Sequence, residues 1–375
     1  MIPYSKQKID QDDIDLVIDI LKSDYLTQGP MVDKFEEALA KYLGVKYVLA
    51  LNSATSALHI AYSALEIPKN SEILTSPISF VATSNMAIVE NLNPIFIDVK
   101  LDGNIEERFI QKHITPKTKA IVPVHYSGNM CNMDEIVKIA KKNNLYIIED
   151  AAHAFGSEYN QQKAGTFGDF GVFSFHAIKP ITTGEGGALV TNNKELYTKA
   201  KLLRSHGITK KILWNFDMDQ MGFNYRMSDI NAALGFSQLK KLDTFIQRRE
   251  EIAKIYDNAF KNNKYFYTID IPKNIKTTRH LYPILLKQEF YCPKEDIFEA
   301  MQQKGLGVQV HYKPIYKNSF YEKKYGFQSL FGAEEFYKAQ ISLPCHQDMS
   351  DSDVEYVIKS IFEIFKEHNF RCRSF

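Results

Sequence analysis

Asp150 and Lys179 are the residues whose types and settings offer the most chemistry. Asp150 follows an apolar run, Leu145 to Ile148, in the string Glu149-Asp150-Ala151-Ala152-His153, which puts a carboxylate and an imidazole beyond the end of a strand. Lys179 follows a second strand-like run, Phe170-Gly171-Val172-Phe173-Ser174-Phe175-His176, and the turn Gly184-Glu185-Gly186-Gly187 then leads into a third. An amine at one strand exit can bond a carbonyl carbon and then carry protons, while a carboxylate at a neighbouring exit can keep a ring nitrogen protonated. Singly these residues say little, since an Asp after a strand reads as a cap and a lone Lys as a surface charge. Upstream, Asn52-Ser53-Ala54-Thr55-Ser56-Ala57 follows the run Tyr47 to Leu51 and opens a helix. Small and hydroxylated residues at a helix start offer free N–H groups and the positive end of the helix dipole to a phosphate. An ordinary Ser/Thr cap has the same composition, but with Asp150 and Lys179 following in order the phosphate reading is preferred.

Such groups need a frame that brings strand ends together. Between about residues 45 and 195 the chain alternates short apolar runs with helix-period stretches, the pattern of an α/β sheet covered by helices. The strands are expected at Tyr47–Leu51, Ile73–Thr75, Ile95–Val99, Ala120–Val124, Leu145–Ile148, Gly171–Phe175 and Ala188–Thr191, with helices at Ser56–Leu65, Thr83–Glu90 and Asp134–Asn143. Ligands of such a sheet sit at the carboxyl ends of its strands. One long helix, Asp229 to about Phe260, should bridge into a second region. There, strand-like runs at Leu281–Leu286 and Gly307–His311 lie among helices near Lys294–Gln303 and Asp351–Glu367, an α+β pattern. The expected division is a large unit, 1–245, with an N-terminal substrate segment, and a small unit, 246–375.

The 375 residues carry 46 Lys plus Arg against 45 Asp plus Glu, a net charge of +1 that gives no electrostatic reason to expect nucleic acid or a membrane surface as partner. Hydrophobic residues at 45% and charged residues at 24% fit a globular protein. Lys6, Lys8, Asp10, Asp12 and Asp13 interrupt the first residues, so no signal-peptide core is expected and the chain reads as cytoplasmic. The apolar-leaning stretch Tyr47–Leu65 contains Asn52, Ser53, Thr55, Ser56 and His59 and does not read as a membrane span. Cys131, Cys292, Cys345 and Cys372 form no paired motif and are expected as reduced thiols. His125, Cys131 and His153 match no metal-ligand spacing.

The order of Asp150, Lys179 and a glycine turn is that of fold-type I pyridoxal-phosphate enzymes, a mostly parallel mixed sheet with helices on both faces plus a smaller α+β C-terminal domain. Over nearly its whole length the chain resembles the DegT/DnrJ/EryC1/StrS sugar-nucleotide aminotransferases. The resemblance rests on Leu26-Thr27-Gln28-Gly29, Asn52 to Ala57, Glu149 to Gly156, Ser174 to Lys179 with Gly184 to Gly187, Arg204 with His206-Gly207, and Gly222 to Met227. The runs Ser76 to Thr83, Ser174 to Thr183 and Val310 to Tyr316 are similar to the branch that aminates a UDP-linked sugar on the way to pseudaminic acid.

The resemblance implies pyridoxal 5'-phosphate as cofactor, bonded by Lys179, which then shuttles protons. It also implies Asp150 at the ring nitrogen, His153 near the phenolic oxygen and Phe80 stacked on the ring. Ser53, Ala54, Thr55 and Ser174 would hold the phosphate, with Asn224 from the second subunit of a homodimer that shares its active sites. For the nucleotide sugar it points to Tyr4, Asp24, Tyr25, Leu26, Thr27, Ala54, Ser174, Asn224, Arg226, His311, Tyr312, Lys313 and Pro314. Lys313 and Arg226 suit a diphosphate and aromatic rings suit uracil, although in a chain with 21 Tyr and 25 Phe packing explains Tyr25, Tyr312 and Tyr316 equally well. The implied substrates are L-glutamate, leaving as 2-oxoglutarate, and a UDP-4-keto-6-deoxy-N-acetylhexosamine aminated at C4. Some relatives replace the lysine with histidine and dehydrate sugars. His176 lies nearby, but Lys179 keeps the aligned place, which favours transamination. A non-catalytic regulator built on the same fold would need a basic face or an added domain.

Overall fold

The computed structural model describes residues 1–212, 214–367 and 370. Seven strands form the central sheet: β1 Tyr47–Leu51, β2 Glu72–Thr75, β3 Asn93–Phe96, β4 Thr118–Val122, β5 Tyr146–Asp150, β6 Phe170–Ser174 and β7 Gly187–Thr191. Their order is β1-β7-β6-β5-β4-β2-β3, and β7 alone runs antiparallel to its neighbours. Alternate residues of each strand point to opposite faces. Val48, Ala50, Leu74, Ile121, Phe173 and Val190 enter one core cluster, and Leu49, Leu51, Ile73, Val122, Val172 and Leu189 the other. Both faces are therefore apolar, which explains why the strands read as continuous hydrophobic runs.

Helix α1, Ala54–Ala64, follows β1, and α2, Ala82–Val89, follows β2. The antiparallel sense of β7 brings its first residue to the same sheet edge as the last residues of its neighbours, with Gly187 opposite both Leu51 and Ser174.

The expected bridge from Asp229 to Phe260 is two helices, α3 Asp229–Leu239 and α4 Leu242–Phe260. No Gly or Pro marks the break, and tertiary contacts account for it: Lys241 ion-pairs with Asp10 and Asp13, while α3 packs against the helices Gln11–Leu21 and Pro30–Leu43. Beyond it, β8 Phe266–Thr268, β9 Tyr282–Leu286 and β10 Gln340–Leu343 form an antiparallel sheet packed by α4 and the helices Lys294–Gln303 and Asp351–Glu367.

The expected strand Gly307–His311 shrinks to Leu306–Gly307, which pairs in parallel with Ile2–Pro3. Beyond it Val308 and His311 are buried against neighbouring segments, so an apolar loop imitated a strand. The expectations at Ile95–Val99 and Ala120–Val124 run two to three residues late for the same reason, because Ile97, Val99 and Val124 are buried just past the ladder. Cys131 and Cys345 are buried free thiols, whereas Cys292 is disulfide-bonded, against the expectation of four reduced thiols. Cys292 is exposed, and spacing alone does not reveal which thiol an exposed cysteine can meet. Cys372 lies outside the described residues. Among the described residues no helix is long and apolar enough to cross a membrane.

Candidate active site

The carboxyl ends of β1, β2, β5 and β6 surround a cavity of about 440 Å³. Its lining includes Ser53, Ala54, Thr55, Phe80, Asp150, His153, Ser174, Lys179 and Tyr312, so nine of the expected site residues share one space.

At one side lies the start of α1. Ser53 is its N-cap, with an extended backbone and an Oγ that accepts from the Ser56 N–H at 3.1 Å. The N–H groups of Ala54 and Thr55 belong to the first turn, where no intrahelical acceptor exists. Gly187 sets how closely β7 approaches this turn: a Cβ there would lie 2.5 Å from the Ala54 nitrogen. The glycine leaves the amide cradle unobstructed.

Asp150 ends β5 and is 5% exposed. Its Oδ2 accepts from the Thr83 hydroxyl at 2.6 Å and its Oδ1 from the Ala152 N–H at 3.2 Å. The neighbouring Glu149 is fully buried and accepts from the Gly165, Phe167 and Gly168 N–H groups and from His125, so it serves the fold rather than the cavity.

His153 takes its tautomer from its partners. The Ser127 N–H donates to Nδ1 at 3.3 Å, so Nε2 carries the hydrogen and donates to the Tyr312 hydroxyl at 3.1 Å. Burial, reinforced by Lys179 and His311, holds the imidazole well below the usual histidine range, so it stays neutral.

Lys179 is 8% exposed, and its Nζ lies 3.5 Å from His280 Nε2. Burial lowers its pKa to about 8, with Asp150 opposing the shift. Ser5 donates to the carbonyl of Ile178 at 2.7 Å, bracing the lysine's loop with the N-terminal segment. Phe80 sits at the cavity with 60% exposure, its ring centroid 6.4 Å from that of Tyr312. His176 also lines the cavity but is turned to the surface near Glu185, 3.7 Å away.

The other expected substrate residues lie outside this lining. The Tyr4 ring lies 5.1 Å from that of His311, whose Nδ1 pairs with the Ser342 hydroxyl of the small sheet at 2.9 Å. Pro314 is buried and Lys313 exposed beside them. Asp24, Tyr25 and Leu26 are exposed, and Leu26 and Thr27 dock on the start of α3 through the Asp229 N–H and the Thr27–Ser228 bridge. Asn224 and Arg226 flank Asn52 and Leu51 without reaching the cavity of their own chain.

Sequence reasoning missed Ser79, Thr83 and His280. Thr83 sits one helical turn beyond Phe80, inside a run already singled out, but its partner Asp150 is 67 residues away. Nothing local in the sequence marks His280.

A family comparison decides what this site belongs to: residues 7–362 match the DegT/DnrJ/EryC1/StrS aminotransferase family. The chain belongs to that family. Within it, the UDP-4-amino-4,6-dideoxy-N-acetyl-beta-L-altrosamine transaminase of Campylobacter jejuni subsp. jejuni serotype O:23/36 (strain 81-176) is 52% identical over 370 residues, covering 98% of each chain. The structure of Helicobacter pylori PseC, an aminotransferase involved in the biosynthesis of pseudoaminic acid, superposes with a TM-score of 0.95 at 44% identity over 98% of this chain and 100% of that one. Spr1654 from Streptococcus pneumoniae, described as a sugar aminotransferase and solved in its PMP form, gives 0.94 at 29% identity over 98% and 100%. These family members span the same length as this chain, so the match covers both sheets and not the cofactor region alone.

Proposed function

We infer that this protein is a pyridoxal-phosphate aminotransferase that moves the amino group of L-glutamate to C4 of a UDP-4-keto-6-deoxy-N-acetylhexosamine, UDP-2-acetamido-2,6-dideoxy-β-L-arabino-hex-4-ulose, in pseudaminic acid biosynthesis. The observation that carries it is the convergence of a desolvated lysine, a strand-end carboxylate and an open helix N-terminus on one cavity, in a chain 52% identical to a transaminase named for that product. The residues fit the cofactor part by part. Its phosphate matches the Ser53–Thr55 turn that Gly187 keeps open, its ring nitrogen matches Asp150, its ring face matches Phe80, and its aldehyde matches the Lys179 amine.

Bound pyridoxal phosphate supplies a ring that accepts electrons when a proton leaves the carbon bearing the amine. The protein does the rest. Lys179 is the attachment point, and once released its Nζ, brought near neutrality by burial, would take the proton from the carbon bearing the glutamate amine and deliver it to the carbon to which the lysine had been attached, the reverse transfer serving the sugar. Asp150 holds the ring-nitrogen proton. His153, fixed as a neutral Nε2–H donor, stays beside the cavity without adding charge. The net reaction converts L-glutamate and the 4-keto sugar to 2-oxoglutarate and the 4-amino sugar.

For the sugar nucleotide, Tyr4, His311, Tyr312, Lys313 and Pro314 form one group beside the Lys179 loop. Asp24 to Thr27, with Asn224 and Arg226, are proposed to serve the site of the second subunit of a cytoplasmic homodimer. The division into units 1–245 and 246–375 is supported by the separate core around Ile252, Ile284, Ile341 and Val357.

The test is incubation with L-glutamate and a panel of nucleotide-linked 4-keto-6-deoxy sugars, with the product identified by NMR. Amination of the UDP-N-acetylhexosamine supports the assignment. Amination of only a dTDP- or GDP-linked sugar would make the protein an aminotransferase for a different sugar.

A further inference from the structure

Thr83 stands in a chain of hydroxyl groups that ends on the carboxylate just assigned to the cofactor ring. Its Oγ1 donates to Asp150 Oδ2 at 2.6 Å, and Ser79 Oγ lies 2.9 Å from Thr83 Oγ1. A threonine hydroxyl has one hydrogen. The carboxylate oxygen is the nearer and more strongly accepting partner, with the Phe80 carbonyl at 3.4 Å. Because that hydrogen goes to the carboxylate, the Ser79 hydroxyl must donate to Thr83, and the direction of the chain is fixed from Ser79 to Thr83 to Asp150. All three residues are buried. The backbone of Thr83 is held as well, since the buried Tyr62 hydroxyl donates to its carbonyl at 2.9 Å. Thr83 lies in the first turn of α2, the helix that follows β2, so this bond ties the start of α2 to the end of β5 at the cavity.

We propose that Thr83 is a positioning residue for transamination: its hydroxyl, oriented by Ser79, fixes the rotation of the Asp150 carboxylate so that Oδ1 is the oxygen left to meet the ring nitrogen. This rests on the reading of the cavity as a pyridoxal-phosphate site. Oδ1 has only the longer bond from Ala152 N–H, at 3.2 Å, and an ionised carboxylate oxygen can accept more than one hydrogen. Without Thr83, the terminal torsion of an aspartate is broad and two-fold, so the carboxylate would sample orientations that leave the ring proton poorly met.

Thr83→Val removes the hydroxyl and keeps the shape, Thr83→Ser keeps the hydroxyl, and Ser79→Ala removes only the upstream donor. Each is stripped of cofactor and titrated with pyridoxal phosphate and with its carbocyclic analogue, in which C–H replaces the ring nitrogen. A hydrogen bond to a charged group is worth roughly tenfold or more in affinity. The expected result for Thr83→Val is about tenfold weaker binding of pyridoxal phosphate with analogue binding unchanged within about twofold. Thr83→Ser should match the parent, and Ser79→Ala should show the same pattern at smaller size. Turnover of Thr83→Val should fall with little change in KM for the sugar. Equal losses for both cofactors, or no loss for either, would overturn the proposal. Should Thr83→Val fail to fold, the Ser79→Ala comparison decides by the same pattern. Failure of the parent protein to bind pyridoxal phosphate would overturn the reading of the cavity, and the proposal with it.

Discussion

The charge on Lys179 is decided by where its side chain ends. An exposed lysine at neutral pH is almost wholly protonated and a poor nucleophile. Burial with only Asp150 to compensate brings its pKa down to about 8, so that roughly a quarter of the amine is neutral at about pH 7.5. Below this value the buried amine is charged, and above it neutral. The rate at which cofactor-free protein is trapped by pyridoxal phosphate and borohydride, followed by mass spectrometry, should therefore rise with pH through a midpoint near 8. A rise only toward the ordinary lysine range would show that the cavity does not desolvate the amine. Lys179→Ala should give no trapping at this position at any pH, and no turnover. Asp150→Asn should still bind cofactor but lose turnover by orders of magnitude, because an amide does not hold the ring proton as a carboxylate does; parent-like turnover would remove Asp150 from the chemistry. Lys179 and Asp150 were readable because each is attached to its strand by only a few residues of chain. Thr83 and His280 were not, since their partners lie 67 and 101 residues away and only the fold brings them together.

At the level of elements, the close approach of β7 to α1 controls the cradle. A Cβ at Gly187 would meet Ser53 and Ala54 backbone atoms within 2.7 Å, and backbone cannot yield as a flexible side chain does. Gly187→Ala should push the first turn of α1 from its place and weaken pyridoxal-phosphate affinity by tenfold or more, measured by absorbance titration, while circular dichroism keeps the sheet signal. Unchanged affinity would mean that the phosphate is held elsewhere. The strands that carry the site were legible to within a few residues because both their faces are buried and the apolar runs are continuous. The division of Asp229–Phe260 into α3 and α4 was not legible. The residues around Lys240 and Lys241 are acceptable in a helix, and the break is imposed by Asp10 and Asp13, more than two hundred residues away.

On the scale of the whole molecule, the N-terminal segment ties distant parts of the chain together. Ile2–Pro3 pairs with Leu306–Gly307, and Ser5 holds the Ile178 carbonyl of the lysine loop. No local pattern in the sequence reveals such pairing, because two residues make no periodicity. Ser5→Ala should loosen the lysine loop more than the fold, so turnover should drop while the thermal midpoint moves by less than about 4 °C, the shift expected for a fraction of a kcal/mol to one kcal/mol in a domain of this size. An equal loss of stability without a kinetic effect would make the bond purely structural. The net charge of +1 is compatible with anion binding because the recognition proposed here is local, through a helix N-terminus and a few cations. The most direct measurement is to supply L-glutamate labelled with 15N together with the UDP-4-keto-6-deoxy-N-acetylhexosamine and to follow the label by NMR. The expected result is 15N bonded to C4 of the sugar with 2-oxoglutarate released in equal amount. Label remaining on glutamate while the sugar is untouched or dehydrated would contradict transamination.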